Sequence, residues 1–222
     1  MTTNKPHLIL VEGQTDKDFF LQWVTLKLQK KGNRNVDIKP IAETVDIESK
    51  GGDSKVLAKF KALLLSTPYS DLKSLFAIVD ADDDYQARCN LFKTIFKEVG
   101  VENIEPNTVV PYKNLSVGFF VIGDQKTFQD LDSLLLQIRI HQEAQYQNPL
   151  IEFDNFLNNN NVSYPHKSKL SIHLAHLPVF CVHHLGEGLK HQYFNIDAPQ
   201  LDFLNELFEK IKPPDTVQQA TP

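Results

Sequence analysis

Apolar residues follow two different periods along the first two thirds of the chain. Residues 7–11 form an unbroken strand-like run, which is typical of a strand buried on both faces. From Asp16 onward the apolar residues recur at helical spacing, until Gly32 and its neighbour stop the helix. A second unbroken run, residues 75–79, predicts another buried strand. Each of the two runs is followed immediately by an acidic residue.

The remaining pattern completes an alternation of strands and helices. Val36, Ile38 and Ile41 indicate a second strand, and a glycine turn at 51–52 precedes a helix over residues 54–66. Later segments comprise a helix that ends at Gly100, strand candidates at 109–110 and 117–122, and a helix carrying Leu131, Leu134, Leu135 and Ile138. The alternation predicts an α/β fold in which helices flank both faces of a mostly parallel sheet.

The pattern changes after about residue 147, so we expect three segments. Residues 1–147 hold the α/β domain, residues 148–212 form a C-terminal helical extension packed on it, and residues 213–222 form a disordered polar tail. Within the extension, an amphipathic helix is predicted over residues 200–211. Its apolar positions are Leu201, Leu204, Leu207, Phe208 and Ile211.

Composition places the chain among ordinary globular proteins and limits its partners. Of its 222 residues, 41% are hydrophobic and 23% charged, and no apolar run approaches the ~20 residues that cross a bilayer. The two cysteines, Cys89 and Cys181, have no metal or redox spacing, so a cytoplasmic location is expected. The net charge of −5 argues against a broad basic face for nucleic acid. It does not exclude an enzyme that meets phosphate through bound metal.

Two acidic segments follow the buried strands and carry the candidate chemistry. Glu12 comes directly after the first strand, and Asp16 lies four residues later. Asp80 and Asp82 follow the strand at 75–79, and in an extended segment residues two apart point the same way. If the two strands lie side by side, Glu12 joins both aspartates at the edge where open α/β sheets bind ligands.

A shared metal site is the interpretation that best accounts for these carboxylates. Two carboxylates about 5 Å apart repel by roughly 3 kcal/mol at an effective dielectric near 20. A cluster must therefore hold protons or a cation, and hard oxygen ligands suit Mg²⁺ or Mn²⁺. The alternative is structural, because aspartate after a strand is a common turn or cap residue. Residues 82–84 could cap the helix that begins near Tyr85.

The two acidic motifs, taken together and in order, resemble a known family. Glu12, Gly13 and Asp16 after one strand, with Asp80-x-Asp82 after a later one, are similar to the TOPRIM domain of topoisomerases, primases and OLD-type nucleases. The Glu-x-x-x-Asp spacing is most similar to the OLD nuclease branch and its small stand-alone relatives of uncharacterised function. The resemblance covers roughly residues 5–147 and implies a TOPRIM-like, Rossmann-like sheet.

The resemblance also implies a role for each acidic position. Glu12 is expected to be a metal ligand or general acid/base, and Asp16 a ligand of a second metal. Asp80 and Asp82 are expected to be the paired metal-binding aspartates. Glu12 and Asp80 are thus the central catalytic candidates, with one or two Mg²⁺ or Mn²⁺ ions as the cofactor.

Two further regions bear on the resemblance to TOPRIM domains. The family's later acidic position falls on Asp130 or Asp132, and Gln129 stands where an acid is expected, which leaves the second ion open. Lys167 and Lys169 are candidates for the lysine that stabilises the transition state in OLD-like nucleases. Lys169 is taken as the catalytic candidate, with a solvated surface position as the alternative.

The implied activity is metal-dependent hydrolysis of nucleic-acid phosphodiesters, with DNA favoured over RNA, in a defence or repair system. A partner ATPase and a homodimer are further expectations, and no membrane association is expected. The main rival is a non-catalytic TOPRIM-like module that binds metal or a partner protein and regulates it. Gln129 and the acidic surface favour that rival. A phosphatase or nucleotide-processing enzyme on the same scaffold is a third alternative.

Two weaker signals complete the candidate sites. Gly51, Gly52 and Lys55 precede or begin a helix, where backbone N–H groups can hold a phosphate, although an ordinary glycine turn is the simpler interpretation. A histidine-rich segment invites a zinc interpretation, but its spacing fits no standard structural zinc pattern. That segment carries His173, His176, Cys181, His183 and His184.

Overall fold

The computed structural model describes residues 6–30, 45–49, 52–66, 72–123, 129–142 and 185–211, with a few single positions between 152 and 174. The first half comprises β1 (His7–Val11), α1 (Gln14–Lys30), β2 (Val45–Ser49), α2 (Asp53–Leu65), β3 (Ser74–Asp80) and α3 (Tyr85–Glu98). The second half comprises β4 (Thr108–Tyr112), β5 (Leu115–Ile122), α4 (Leu131–Gln142), α5 (Leu185–Lys190), a 3-10 helix (Pro199–Leu204) and α6 (Asn205–Ile211).

The five described strands form one open sheet in the order β2-β1-β3-β5-β4. The first four of these are mutually parallel, and β4 pairs antiparallel with β5 at one edge. The predicted α/β fold with a mostly parallel sheet is therefore confirmed. The antiparallel edge arises because only the short turn at 113–114 separates β4 from β5, too few residues for a crossover.

The second strand of the described residues begins later than the apolar positions from which a second strand was predicted. Val36, Ile38 and Ile41 lie outside the described residues, and the strand beside β1 is Val45–Ser49. The helix predicted over 200–211 is also divided, into the 3-10 helix and α6. Its five predicted apolar positions are nevertheless all buried, as are those predicted in α4.

Side chains alternate between the two faces of the sheet and build two cores. Ile9, Phe76 and Phe120 face one core, which also contains apolar residues of α1, α4 and the segment 185–211. Leu8, Leu75 and Phe119 face the other, which α2 and α3 cover. This two-sided burial explains the unbroken apolar runs of β1 and β3. Within the described part of the chain, every helix is too short or too polar to cross a bilayer.

The described end of the C-terminal extension is integrated into the first core. A Cβ added to Gly186 of α5 would lie 2.6 Å from the backbone oxygen of Asp18, so a glycine is needed for this close approach to α1. Farther along, Glu206 of α6 reaches the outer side of β4, where its Oε2 accepts a hydrogen bond from the N–H of Val109 at 2.9 Å. Pro111 lies two residues further along the same strand.

Candidate functional site

The acidic residues lie where the strand order of the sheet reverses. β2 pairs on one side of β1 and β3 on the other, so the β1–β3 pair is the topological switch point. In open α/β sheets, ligands bind in the crevice outside the carboxyl ends of such a pair. Glu12 follows β1 directly and Asp80 is the last residue of β3, so both lie at this edge, which we call the acidic crevice.

Backbone amides anchor the two central carboxyl groups. Glu12 Oε1 accepts a hydrogen bond from the N–H of Asp80 at 2.9 Å. Asp80 Oδ1 in turn accepts one from the N–H of Leu131, at the start of α4, at 3.1 Å. The pairing of β1 with β3, which the sequence argument required, is confirmed, and it places Glu12 against the end of β3.

Asp16 closes the turn between β1 and α1. Its Oδ2 accepts a hydrogen bond from the N–H of Gly13 at 2.7 Å, which satisfies a donor near the start of the helix. The carbonyl oxygen of Glu12 accepts a bond from the N–H of Gly52 at 3.2 Å, so the start of α2 meets the same corner. The first acidic segment, residues 12–16, therefore accepts hydrogen bonds from the backbone at the start of α1 and at the start of α2.

Burial and mutual repulsion raise the pKa of both central carboxyl groups. Desolvation is the largest cause for each, because burial penalises the charged form. The charges of Asp16, Glu12, Asp130 and Asp82 then add to it, and the pKa of Asp80 lies well above its usual range. For Glu12, burial outweighs the hydrogen bond from Asp80, and the pKa is raised to about 7. Without a cation, this crevice holds protons near neutral pH.

Asp82 does not continue β3, and the extended geometry expected for residues 80–82 is wrong. The chain turns after the strand and Asp82 adopts a φ of 50°, so the alternation rule for strands does not apply to it. Its side chain is 57% exposed. Asp84 is the N-cap of α3, where its Oδ1 accepts from the N–H of Ala87 at 2.8 Å. The structural alternative thus accounts for Asp84.

Arg88 is a site residue that the sequence analysis missed. It lies in the first turn of α3, and its Nη2 is 2.7 Å from Asp82 Oδ2. Its side chain is only 11% exposed. Its positive charge also lowers the pKa of Glu12, although burial outweighs that effect. An arginine one turn into the helix after an acidic run was the signal available in the sequence.

The Gln129 position contributes its backbone to the site. Its carbonyl oxygen accepts hydrogen bonds from the N–H groups of Ala81 at 2.9 Å and Asp82 at 3.0 Å, which fixes the turn after β3. Asp130 caps α4, because its Oδ1 accepts from the N–H of Ser133 at 2.7 Å. Of the two later acidic candidates, Asp130 acts on the pKa of Asp80, while Asp132 lies in the first turn of α4.

The phosphate-binding candidates are only partly described. Gly52 adopts a φ of 116°, a conformation that favours glycine, and its N–H is bonded to Glu12. That geometry fits the simpler interpretation of a glycine turn. Lys55 lies exposed in the first turn of α2. Outside the described residues lie Gly51, Lys167, Lys169, His173, His176, Cys181, His183 and His184.

The donor chemistry suits a hard cation, although the side chains are not arranged around one. Among the described residues, no group of three or more His, Cys, Asp or Glu is placed to hold a metal ion. Glu12, Asp16, Asp80 and Asp130 each accept from a backbone N–H, and Asp82 faces Arg88. A carboxylate has about four acceptor positions, so one such bond does not exhaust it. Carboxylate oxygens are the ligands of Mg²⁺ and Mn²⁺, so the residue types fit that metal class.

These features define an α/β protein with an acidic crevice at the switch point of a mostly parallel sheet. A family model described as a protein of unknown function (DUF3226) matches residues 6–211, and the chain belongs to this family. Comparisons with curated proteins and with solved structures gave no match. The similarity to TOPRIM domains stays a prediction from the sequence.

Proposed function

We propose that this protein is a metal-dependent phosphodiesterase that acts on nucleic acid, with DNA favoured over RNA. The observation that carries the proposal is the convergence of Glu12 and Asp80 at the switch point, where burial first, and then the neighbouring carboxylates, raise the pKa of Asp80 well above its usual range. Groups with perturbed pKa values in a ligand crevice are candidates for chemistry. Burying carboxyl groups beside one another costs free energy unless they are protonated or bind a cation.

The proposed roles follow the positions of the side chains. Glu12 and Asp80 hold a Mg²⁺ or Mn²⁺ ion, with Asp16, Asp82 and Asp130 as further candidates for one or two ions. Such an ion, when bound, polarises a phosphate oxygen and activates water. General acid/base chemistry is the alternative role of Glu12, because in the metal-free protein burial raises its pKa to about 7. The proposed transition-state role of Lys169 and the phosphate contact by Lys55 stay predictions.

Cleavage assays on supercoiled plasmid and labelled single strands test the proposal, in Mg²⁺, Mn²⁺ or EDTA. Asp80→Asn removes the charge but keeps an oxygen that can accept from Leu131, so the fold should be retained. Asp83→Asn is the matched control, since Asp83 belongs to the same acidic run and is exposed. We expect cleavage to require metal, to fall at least about 100-fold in Asp80→Asn, and to be unchanged in the control. Equal, metal-dependent cleavage by wild type and Asp80→Asn would overturn the proposed site.

The second candidate is a non-catalytic module that binds metal or a partner protein and regulates it. It is favoured by the protein partners that several of the carboxylates already have: Asp82 faces Arg88, while Asp84 and Asp130 cap helices. Calorimetry with Mn²⁺ separates it from the enzyme. Metal binding by wild type, loss of binding in Asp80→Asn and no cleavage of any nucleic acid would support the module. Turnover of a small phosphate ester without nucleic acid would instead support a phosphatase.

A further inference from the structure

The Arg88–Asp82 contact places a positive charge at the rim of the acidic crevice. Arg88 Nη2 and Asp82 Oδ2 are 2.7 Å apart, a distance typical of a charge-assisted hydrogen bond. The two partners differ in exposure, because the arginine side chain is 11% exposed and that of Asp82 is 57% exposed. The cation is thus packed against the protein while its carboxylate partner faces solvent.

Arg88 also acts beyond its direct partner. Its partner Asp82 lies two residues beyond Asp80, whose N–H is bonded to Glu12 Oε1, so the guanidinium lies beside both acidic segments. An isolated surface ion pair, in contrast, contributes little to stability. Arg88 therefore offsets part of the repulsion among the carboxylates in the metal-free protein.

The backbone under this ion pair is fixed, which limits what can move when the pair opens. The carbonyl oxygen of Gln129 accepts from both Ala81 and Asp82, and Asp84 caps the helix that carries Arg88. The turn and the start of α3 can therefore stay in place when the pair opens. Asp82 is the partner that can rotate, because its side chain is 57% exposed and exposed side chains change rotamer fast.

We propose that Arg88 is the counter-ion that competes with a divalent cation for Asp82, and that metal binding releases its guanidinium to bind the phosphate of the substrate. This inference rests on the proposed function, because it concerns the same crevice. A divalent ion carries twice the charge of a guanidinium and bonds carboxylate oxygens directly, so it displaces the arginine. A guanidinium matches phosphate with a planar pair of donors, which suits Arg88 to this second partner.

Calorimetry with Mn²⁺ tests the competition without relying on activity. Arg88→Gln removes the competing charge, so we expect Mn²⁺ to bind about tenfold more tightly than to wild type at low salt. Arg88→Lys keeps the charge and should bind Mn²⁺ within about twofold of wild type. Lys93→Gln is the matched control on the same helix, because Lys93 pairs with Glu105 at 2.8 Å, and it should leave Mn²⁺ affinity unchanged.

The phosphate role has its own readout in the same variants. With the metal site saturated by Ca²⁺ in place of Mg²⁺, a labelled oligonucleotide should bind about tenfold more weakly to Arg88→Gln than to wild type. Arg88→Lys should recover part of the loss, since it restores the charge without the planar pair of donors. Thermal melting checks that each variant folds.

The outcomes separate this inference from the function on which it rests. Tighter metal binding together with weaker oligonucleotide binding supports the counter-ion role, because a merely structural arginine would weaken both. Wild type that binds Mn²⁺, with unchanged or weaker binding in Arg88→Gln, overturns the inference and leaves the proposed function standing. Absence of Mn²⁺ binding by wild type overturns both.

Discussion

The two acidic segments of the crevice begin alike but are held very differently. After β1, both Glu12 and Asp16 accept hydrogen bonds from backbone amides. After β3 the partners are mixed: Asp80 accepts from a backbone amide of α4 and Asp84 from one of α3, whereas Asp82 pairs with an arginine side chain. Neighbouring acids of the second segment therefore have partners of different kinds. A run of acids is therefore not a run of equivalent ligands.

The largest expected effect is on the rate of cleavage. It distinguishes Glu12, in the first acidic segment, from Asp84, at the far end of the second. Glu12→Gln should lower metal-dependent cleavage at least about 100-fold, since it removes a charge from the centre of the crevice. Asp84→Ala should leave the rate per folded molecule within about twofold, because its carboxylate serves the helix. Cleavage assays corrected for folded fraction provide the measurement. Equal losses in the two variants would break the distinction between the segments.

A second prediction concerns pH and sharpens the role of Glu12. Its pKa of about 7 in the folded protein lies above the ordinary value of 4.5, so between these values the folded state binds more protons than the unfolded state. The free energy of unfolding of the metal-free protein should therefore fall as pH rises through this window, by about 1 to 2 kcal/mol from Glu12 once solvent screening of this partly exposed group is included. The pKa of Asp80 is raised as well, so Asp80 adds to this fall in the free energy of unfolding.

Urea denaturation in EDTA at pH 5 and pH 8 measures this fall. Glu12→Gln cannot ionise, so its stability should change less between the two pH values than that of wild type. Asp83→Asn serves as the control and should retain the wild-type slope. A wild-type protein that gains stability on going from pH 5 to pH 8 would contradict the burial of these carboxyl groups.

The smallest expected effect is on stability. It tests whether Asp84 and Asp83, neighbours in the second acidic segment, have different roles. Asp84→Ala should lower the free energy of unfolding by about 1 kcal/mol, the usual contribution of an N-cap. Asp83→Ala, at the exposed neighbouring position, should change it by less than about 0.5 kcal/mol. Chemical denaturation at pH 7 is sufficient, and similar values for both variants would mean that Asp84 is not a cap of consequence.

The parts of the fold that could be predicted are those with strong local patterns. β1 and β3 are unbroken apolar runs because both faces of each are covered, and their acidic ends followed directly from those boundaries. β2 was missed because three of its five residues, Val45-Asp46-Ile47-Glu48-Ser49, are polar, so its apolar pattern is weaker than that of the positions before it. An edge strand needs only part of its surface buried, so its pattern carries less information.

The finer geometry of the site depended on contacts between distant segments. Asp82 has a positive φ, and its N–H donates a hydrogen bond to the carbonyl oxygen of Gln129, far along the chain. No local sequence pattern predicts that bond. The same turn redirects Asp82 toward Arg88. Residue types were thus sufficient to find the crevice, but tertiary hydrogen bonds decide which carboxylates lie inside it.

The outer edge of β4 has a consequence for how copies of this protein meet. Successive backbone amides of a strand alternate in direction, so Val109 and Pro111 share the side that faces away from β5. Proline has no N–H, and the N–H of Val109 is already bonded to Glu206. A strand from another molecule therefore finds no donor at these two positions with which to extend the sheet. Self-association through this edge, whether in an ordered dimer or in a fibre, is disfavoured by a proline and one glutamate.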